Sequence, residues 1–150
     1  MMDWGNLFTI ANTAILLPWA ALILAPRNGS VHALIFYLGV GLLALAYTVL
    51  FGTLIFSDDG VDWSEFGSLE GVMRLFDSEP GVLLGWIHYL AFDLFVGQWI
   101  AKDADHKMVS RLVQAPILLL TLMAGPFGLL VWMIVRERRA RAMAGIKSRA

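Results

Sequence analysis

Four long apolar stretches constrain the fold of this 150-residue chain more than any other feature. They cover residues 7–25, 31–56, 81–101 and 112–135, and each has about the 20 residues that a helix needs to cross a hydrocarbon core of ~30 Å. A helix of a soluble bundle carries a charged stripe along one side, and no such stripe is visible here. Apolar residues make up 59% of the chain and charged residues only 15%. The sequence therefore predicts an all-α polytopic membrane protein, with four transmembrane helices in one integral membrane domain over residues 1–150.

The composition argues against several classes of protein. A net charge of −1 gives no general attraction to nucleic acid, and the absence of cysteine excludes thiolate catalysis and iron–sulfur ligation. Three histidines are too few for the histidine-rich di-iron site of a membrane hydroxylase. A haem bound by two of them would need histidines at matching depths, which the spacing does not provide. We therefore expect no metal site and no cofactor.

Charged residues lie mainly in two segments of opposite sign. The loop 57–80 holds seven acids and one base, and its apolar residues recur at roughly helical spacing. Both a short helix along the interface and an irregular loop with anchoring aromatic residues remain open. The tail 136–150 holds six bases and one acid, which favours a cytoplasmic tail. With four spans, both termini are then expected in the cytoplasm.

The third apolar stretch contains polar side chains where water is scarce, namely His88, Asp93 and Gln98. A charge at the bilayer centre costs ~2.5 kcal/mol or more, so Asp93 is expected to face the bundle interior, to be protonated or to meet a partner. Asn12 in the first span and Tyr89, one turn away, are candidate partners. For Asn12 and Gln98 the alternative is hydrogen bonding that holds helices together.

The two ionisable residues of that stretch do not share a helix face. His88 and Asp93 are five residues apart, which corresponds to a rotation of ~140° around a helix. Aromatic residues accompany both faces, and they either line a slot for a polyene or pack and face lipid. These residues are Trp86 and Tyr89 on the stripe of Asp93, and Phe92 and Phe95 on the stripe of His88.

The fourth stretch is interrupted by the segment LMAGPFGLL, which places Gly125, Pro126 and Gly128 in its middle. Proline has no backbone N–H, so Pro126 leaves the carbonyl of Leu122 without its helical donor. A broken helix at membrane depth is tolerated only where protein or a cavity satisfies the backbone. The segment therefore predicts either a kink or, beside a neighbouring carboxyl, part of a pocket.

Three segments closely resemble the pattern of a small four-span membrane family, the neoxanthin-synthase-like proteins. The segments are NTAILLPWAALILAPR, GWIHYLAFDLFVGQW and LVQAPILLLTLMAGPFGLLVW, in matching order. The family includes a plant abscisic-acid-deficiency protein and many bacterial members. The chain differs from the plant members in that it carries a basic tail and no transit peptide is expected. In both respects it resembles a bacterial member, which implies the bacterial inner membrane. The family pattern falls on Asn12, Trp19, Pro26, His88, Asp93, Gly125, Pro126 and Gly128.

The resemblance implies a cofactor-independent isomerase, or a related enzyme, acting on a carotenoid or isoprenoid lipid. Converting a carotenoid epoxide to an allene needs an acid to open the epoxide and a base to remove a vinylic proton. We assign Asp93 as the acid and His88 as the base. The residues expected to bind this hydrophobic ligand are Asn12, Trp86, Tyr89, Phe92, Phe95, Gln98, Gly125 and Pro126. The alternative is a non-catalytic protein that binds pigment or lipid, or a scaffold within a homo-oligomer or a biosynthetic complex.

Overall fold

Every regular element of the described residues is helical. The computed structural model describes residues 3–57 and 60–147, so Asp58 and Asp59 of the acidic loop, the first two residues and the last three residues of the tail lie outside it. Three helical stretches are long and apolar enough to cross a membrane, namely Trp4–Leu24, Gly29–Ile55 and Glu79–His106. They correspond to the first three predicted spans and support the prediction of a membrane protein.

The first two spans are composed of consecutive helical pieces. Helices α1 (Trp4–Ala14) and α2 (Leu16–Leu24) form the first span, and they meet just before Pro18, whose ring clashes with the carbonyl one turn earlier. The second span begins as α3 (Gly29–Leu34), continues through a π-helical segment (Ile35–Gly41) and ends as α4 (Leu42–Ile55).

The acidic loop contains two short helices, which favours the first of its two predicted alternatives. They are a 3₁₀ helix (Trp63–Gly67) and α5 (Leu69–Leu75). Ser68 begins α5 by accepting a hydrogen bond from the N–H of Gly71 at 3.0 Å. The large apolar side chains of the loop are more than half exposed at Trp63 and Leu69. They are available to contact the interface.

The third span is a single helix, α6 (Glu79–His106), and it is the centre of the bundle. It packs against both earlier spans and against the two helices that follow it. Gly97 allows the ring of Trp19 to lie directly on the helix backbone, because a Cβ there would overlap the indole. Leu94 is fully buried in the same core, and Trp19 is only 1% exposed.

The predicted fourth span is wrong, because the chain turns back on itself in its middle. Helix α7 (Arg111–Met123) ends at Ala124, and α8 (Gly125–Lys147) runs back beside it. A Cβ at Gly128 would overlap the backbone of Thr121, so the two helices touch within the first turn after the reversal. We call α7 and α8 the helical hairpin.

The other end of the helical hairpin closes at the end of α6. The guanidinium group of Arg136 donates to Asp103 at 2.7 Å, and that of Arg139 donates to the carbonyl of Lys107 at 3.1 Å. Helix α8 therefore returns to the end of α6, close to where α7 begins. A straight helix over 112–135 would have carried Arg136 to the far end of the bundle.

The helical hairpin separates the two ends of the chain. Trp4 lies beside Phe76 and Glu79, at the start of α6, whereas α8 passes Lys107 at the other end of α6. The expectation that both termini lie on one side is therefore wrong for the described residues. The bundle has an acidic end, where α6 begins, and a basic end, where α6 finishes.

Candidate functional site

The turn of the helical hairpin lies against Asp93, halfway along α6. Asp93 is 8% exposed, and a Cβ at Gly125 would overlap its carboxyl oxygens. The backbone N–H of Gly125, at the start of α8, is one of the polar groups that neighbour this carboxyl. The positive end of a helix dipole favours an acidic group at such a position. The structure thus brings together Asp93 and the glycine of the interrupted fourth stretch.

Tyr89 completes the polar surroundings of Asp93 from one turn away on α6. Its hydroxyl group neighbours the carboxyl and donates a hydrogen bond to the carbonyl of Leu122 at 3.5 Å. This carbonyl lies in the last turn of α7, where the helix itself supplies no donor. Oδ2 of Asp93 is buried and has no hydrogen-bond partner among the described residues. Buried polar atoms normally have a partner, so this oxygen is an unsatisfied polar atom of the site.

An aromatic wall leads from Asp93 towards the acidic end. The ring of Trp86 lies 5.2 Å from that of Tyr89 and 5.6 Å from that of Phe8. The indole N–H of Trp86 donates to Oδ1 of Asn12 at 2.8 Å. Asn12, expected as a partner of Asp93, therefore pairs with Trp86 and joins α1 to α6. This row of rings ends at Tyr89, beside the carboxyl.

The structure does not bring His88 to this site. The ring of His88 lies 4.5 Å from that of Phe92 and 5.6 Å from that of Tyr47, on an exposed side of α6. Phe92 and Phe95 are 57% and 46% exposed on the same side. The predicted acid–base pair and the predicted four-aromatic slot are therefore not assembled. The physical reason is the rotation of ~140° around α6 between His88 and Asp93, which places their side chains on different faces of the helix.

Two further predicted ligand contacts lie apart from the carboxyl. Gln98 is 2% exposed and donates to the backbone carbonyl of His32 at 2.6 Å. Gln98 thus forms a hydrogen bond between two helices, which was the predicted alternative to ligand binding. Pro126 follows Gly125 in the turn, but its side chain is exposed. Its contribution is to the break in the backbone.

A buried polar cluster at the basic end was not singled out from the sequence. The guanidinium group of Arg27 donates to Asp105 at 3.0 Å and to the side-chain carbonyl of Gln114, and it is 4% exposed. Gln114 also donates to Asp105, at 2.8 Å. Burial lowers the pKa of Arg27, and the charge of Asp105 opposes that effect. The signal in the sequence was the amide of Gln114 within the fourth apolar stretch. Its hydrogen bonds attach α7 to the end of α6.

An apolar groove of about 500 Å³ lies on another side of α6, between the first two spans. Leu83 and Ile87 of α6 line it together with residues of α1 and α4, including Ala14 and Ala46. None of the predicted ligand-binding residues lines this groove. Its size and lining suit an acyl or polyene chain.

Comparison with known proteins identifies the family of the chain. No curated protein and no solved structure matches it significantly. A family model described as ABA DEFICIENT 4-like matches residues 6–132, which include most of α1, all of α2 to α7 and the first part of α8. This match confirms the resemblance found in the sequence. The chain belongs to the ABA DEFICIENT 4-like family.

Proposed function

We propose that this protein is a cofactor-independent isomerase, or a related enzyme, that acts on a carotenoid or another isoprenoid lipid within the bilayer. The observation that carries the proposal is the carboxyl of Asp93, which lies halfway along a membrane helix against the hairpin turn with one oxygen unpartnered. A carboxyl at this depth is costly for the fold and is by default a sign of function.

Asp93 supplies the acid of the proposed reaction. In the epoxide reaction, the neutral carboxyl donates its proton to the epoxide oxygen, and one carbon–oxygen bond breaks to give a hydroxyl group. The carboxylate left behind then removes the vinylic proton, the allene forms, and the acid is restored with no net redox change. This sequence of steps replaces His88 as the base, because His88 faces away from Asp93. Tyr89 orients the carboxyl through its hydroxyl group.

The test is pigment chromatography with mass detection in bacteria that accumulate epoxy-carotenoids. Wild type is expected to produce a new compound of unchanged mass, Asp93→Asn none, and His88→Gln as much as wild type. Blotting of membranes controls for the amount of each variant. Product from Asp93→Asn, or its loss in His88→Gln alone, would contradict the assignment of the acid. Absence of any product with wild type would exclude epoxy-carotenoids as substrates.

The apolar groove favours a second candidate, a protein that binds pigment or lipid without changing it. In that case a ligand copurifies in a fixed ratio and is recovered chemically unchanged. Ala46→Phe fills the groove and should release the ligand, whereas Ala44→Phe, exposed on the same helix but outside the groove, should retain it. Equal ligand content in the two variants would argue against the groove.

We also propose that the chain lies in the inner membrane of a bacterium, with its basic end in the cytoplasm. Ten Lys and Arg residues belong to the described segments, and Arg74 alone of these lies at the acidic end. The positive-inside rule favours the cytoplasm for the end with the other nine. The start of α1 is then outside and the end of α8 inside.

A further inference from the structure

A polar pocket of about 570 Å³ opens at the basic end, between the start of the second span and the end of α6. Basic and imidazole side chains dominate its lining, and Asp105 is the acid among its described lining residues. The basic and imidazole groups are those of Arg27, His32, Lys102 and His106. The pocket is separate from Asp93, which lies halfway along α6.

The charge of this pocket is not balanced from within. Asp105 already accepts hydrogen bonds from Arg27 and Gln114. Lys102 is exposed, and none of the ion pairs among the described residues includes it. Nδ1 of His32 is buried and has no hydrogen-bond partner in the part of the chain that the structure describes. An exposed cation without an ion-pair partner among the described residues therefore lines a cavity with room for a further group.

The pocket continues from the charged end along an apolar helix face. Phe36 and Tyr37 line its other side and are 40% and 68% exposed, one turn further into the second span than His32. A ligand with an anionic group at Lys102 and an apolar chain along these rings would match both parts. Basic pockets between membrane helices recognise phosphate-bearing head groups in this manner.

We propose that this pocket binds a phosphate group, carried by an anionic phospholipid or present as free phosphate. Lys102 supplies the exposed cation, Arg27 adds its charge from a buried position, and His106 supplies an exposed imidazole. Arg27 and Gln114 both donate to Oδ1 of Asp105, so the negative charge of this carboxylate is partly offset within the pocket. The proposal is independent of the isomerase, because it uses neither Asp93 nor the hairpin turn.

The experiment measures binding of phosphatidylglycerol to the full chain by native mass spectrometry, with phosphatidylcholine as the reference lipid. Lys102→Gln is compared with Lys107→Gln, which removes the same charge at the same end but from an ion pair with Asp103 at 3.1 Å outside the pocket. We expect Lys102→Gln to weaken retention of phosphatidylglycerol about fivefold and Lys107→Gln to leave it unchanged. His106→Gln, at an exposed residue, is a second variant of the pocket.

Three results would overturn the proposal: equal retention in wild type and both pocket variants, equal losses in Lys102→Gln and Lys107→Gln, or no preference over phosphatidylcholine together with no binding of inorganic phosphate. A titration with inorganic phosphate alone identifies the source. Phosphate binding that depends on Lys102 indicates a site for the free ion. Lipid binding that inorganic phosphate does not displace indicates a head-group site.

Discussion

The carboxyl of Asp93 and the backbone of Gly125 lie so close together that no side chain at position 125 fits between them. One residue belongs to the central helix and the other to the tip of the helical hairpin. Because the tip of the hairpin meets the central helix at this point, halfway along α6, the site depends on the hairpin as much as on the carboxyl.

Gly125→Ala is expected to abolish the function of the site and to destabilise the protein. The added Cβ overlaps the Asp93 carboxyl, so either the carboxyl or the hairpin turn must move. We expect a loss of about 1–3 kcal/mol in the free energy of unfolding, and about a 100-fold loss of product from the misplaced acid. Product analysis and thermal unfolding in detergent measure the two effects.

Gly52→Ala is the matched control for that variant. A Cβ at Gly52 meets nothing within 4 Å, and the residue lies inside α4. Alanine stabilises a helix interior by about 1 kcal/mol relative to glycine. A Gly125→Ala protein as stable and as active as Gly52→Ala would show that the close approach of Asp93 and Gly125 is not required.

The helical hairpin predicts that residues before α7 and late in α8 are reached from the same side of the membrane. The chain has no cysteine, so single cysteines can be introduced without other changes. Ser110→Cys and Arg138→Cys should react with an impermeant maleimide in inside-out vesicles, and Glu70→Cys in intact cells. If Ser110→Cys and Arg138→Cys react from opposite sides, α7 and α8 form a complete span.

Tyr89→Phe removes a hydroxyl group that contacts both Asp93 and the carbonyl of Leu122. A buried carbonyl without a donor costs about 1–3 kcal/mol, so the melting temperature should fall. Product formation should fall further than stability explains, because the acid loses its orienting neighbour. Tyr47→Phe, which preserves the ring beside His88, should change neither quantity. Equal effects of the two variants would argue against a role for the Tyr89 hydroxyl.

Gln114→Leu is expected to weaken the attachment of the hairpin to α6. It leaves Arg27 and Asp105 without their shared amide partner in a buried position. The expected loss is about 1–3 kcal/mol in the free energy of unfolding, measured by thermal unfolding in detergent. Thr48→Leu, at an exposed position of α4, is the control and should have a small effect. Unchanged stability of Gln114→Leu would show that the cluster does not fasten α7.

Much of the fold followed from local sequence properties. The first three spans and the helical content of the acidic loop depend on apolar length and on capping residues such as Ser68, which act over a few positions. The hairpin could not be predicted in this way. An apolar run that includes Gly125 and Pro126 permits a kink as well as a reversal, and the choice depends on distant contacts such as Arg136 with Asp103.

The candidate site was also predictable only where it depends on local sequence properties. A carboxyl in a membrane helix indicates a functional site because its burial is costly. The family pattern includes both Asp93 and Gly125. Helix rotation correctly indicated that His88 and Asp93 lie on different faces. Assigning them to one reaction required either a ligand that wraps around the helix or another helix that completes the site, and the packing of Tyr47 beside His88 does not provide the second. Asn12 was a candidate partner of Asp93, but it accepts a hydrogen bond from Trp86 instead.

The helical hairpin also has a consequence for how the protein is inserted. If the basic end lies in the cytoplasm, as we propose, α7 and α8 enter and leave through the cytoplasmic face, so none of the described charges after α6 has to be translocated. The three complete spans can be in place before the hairpin docks between them. The surroundings of Asp93 would then be completed last, after the rest of the bundle has already formed around α6.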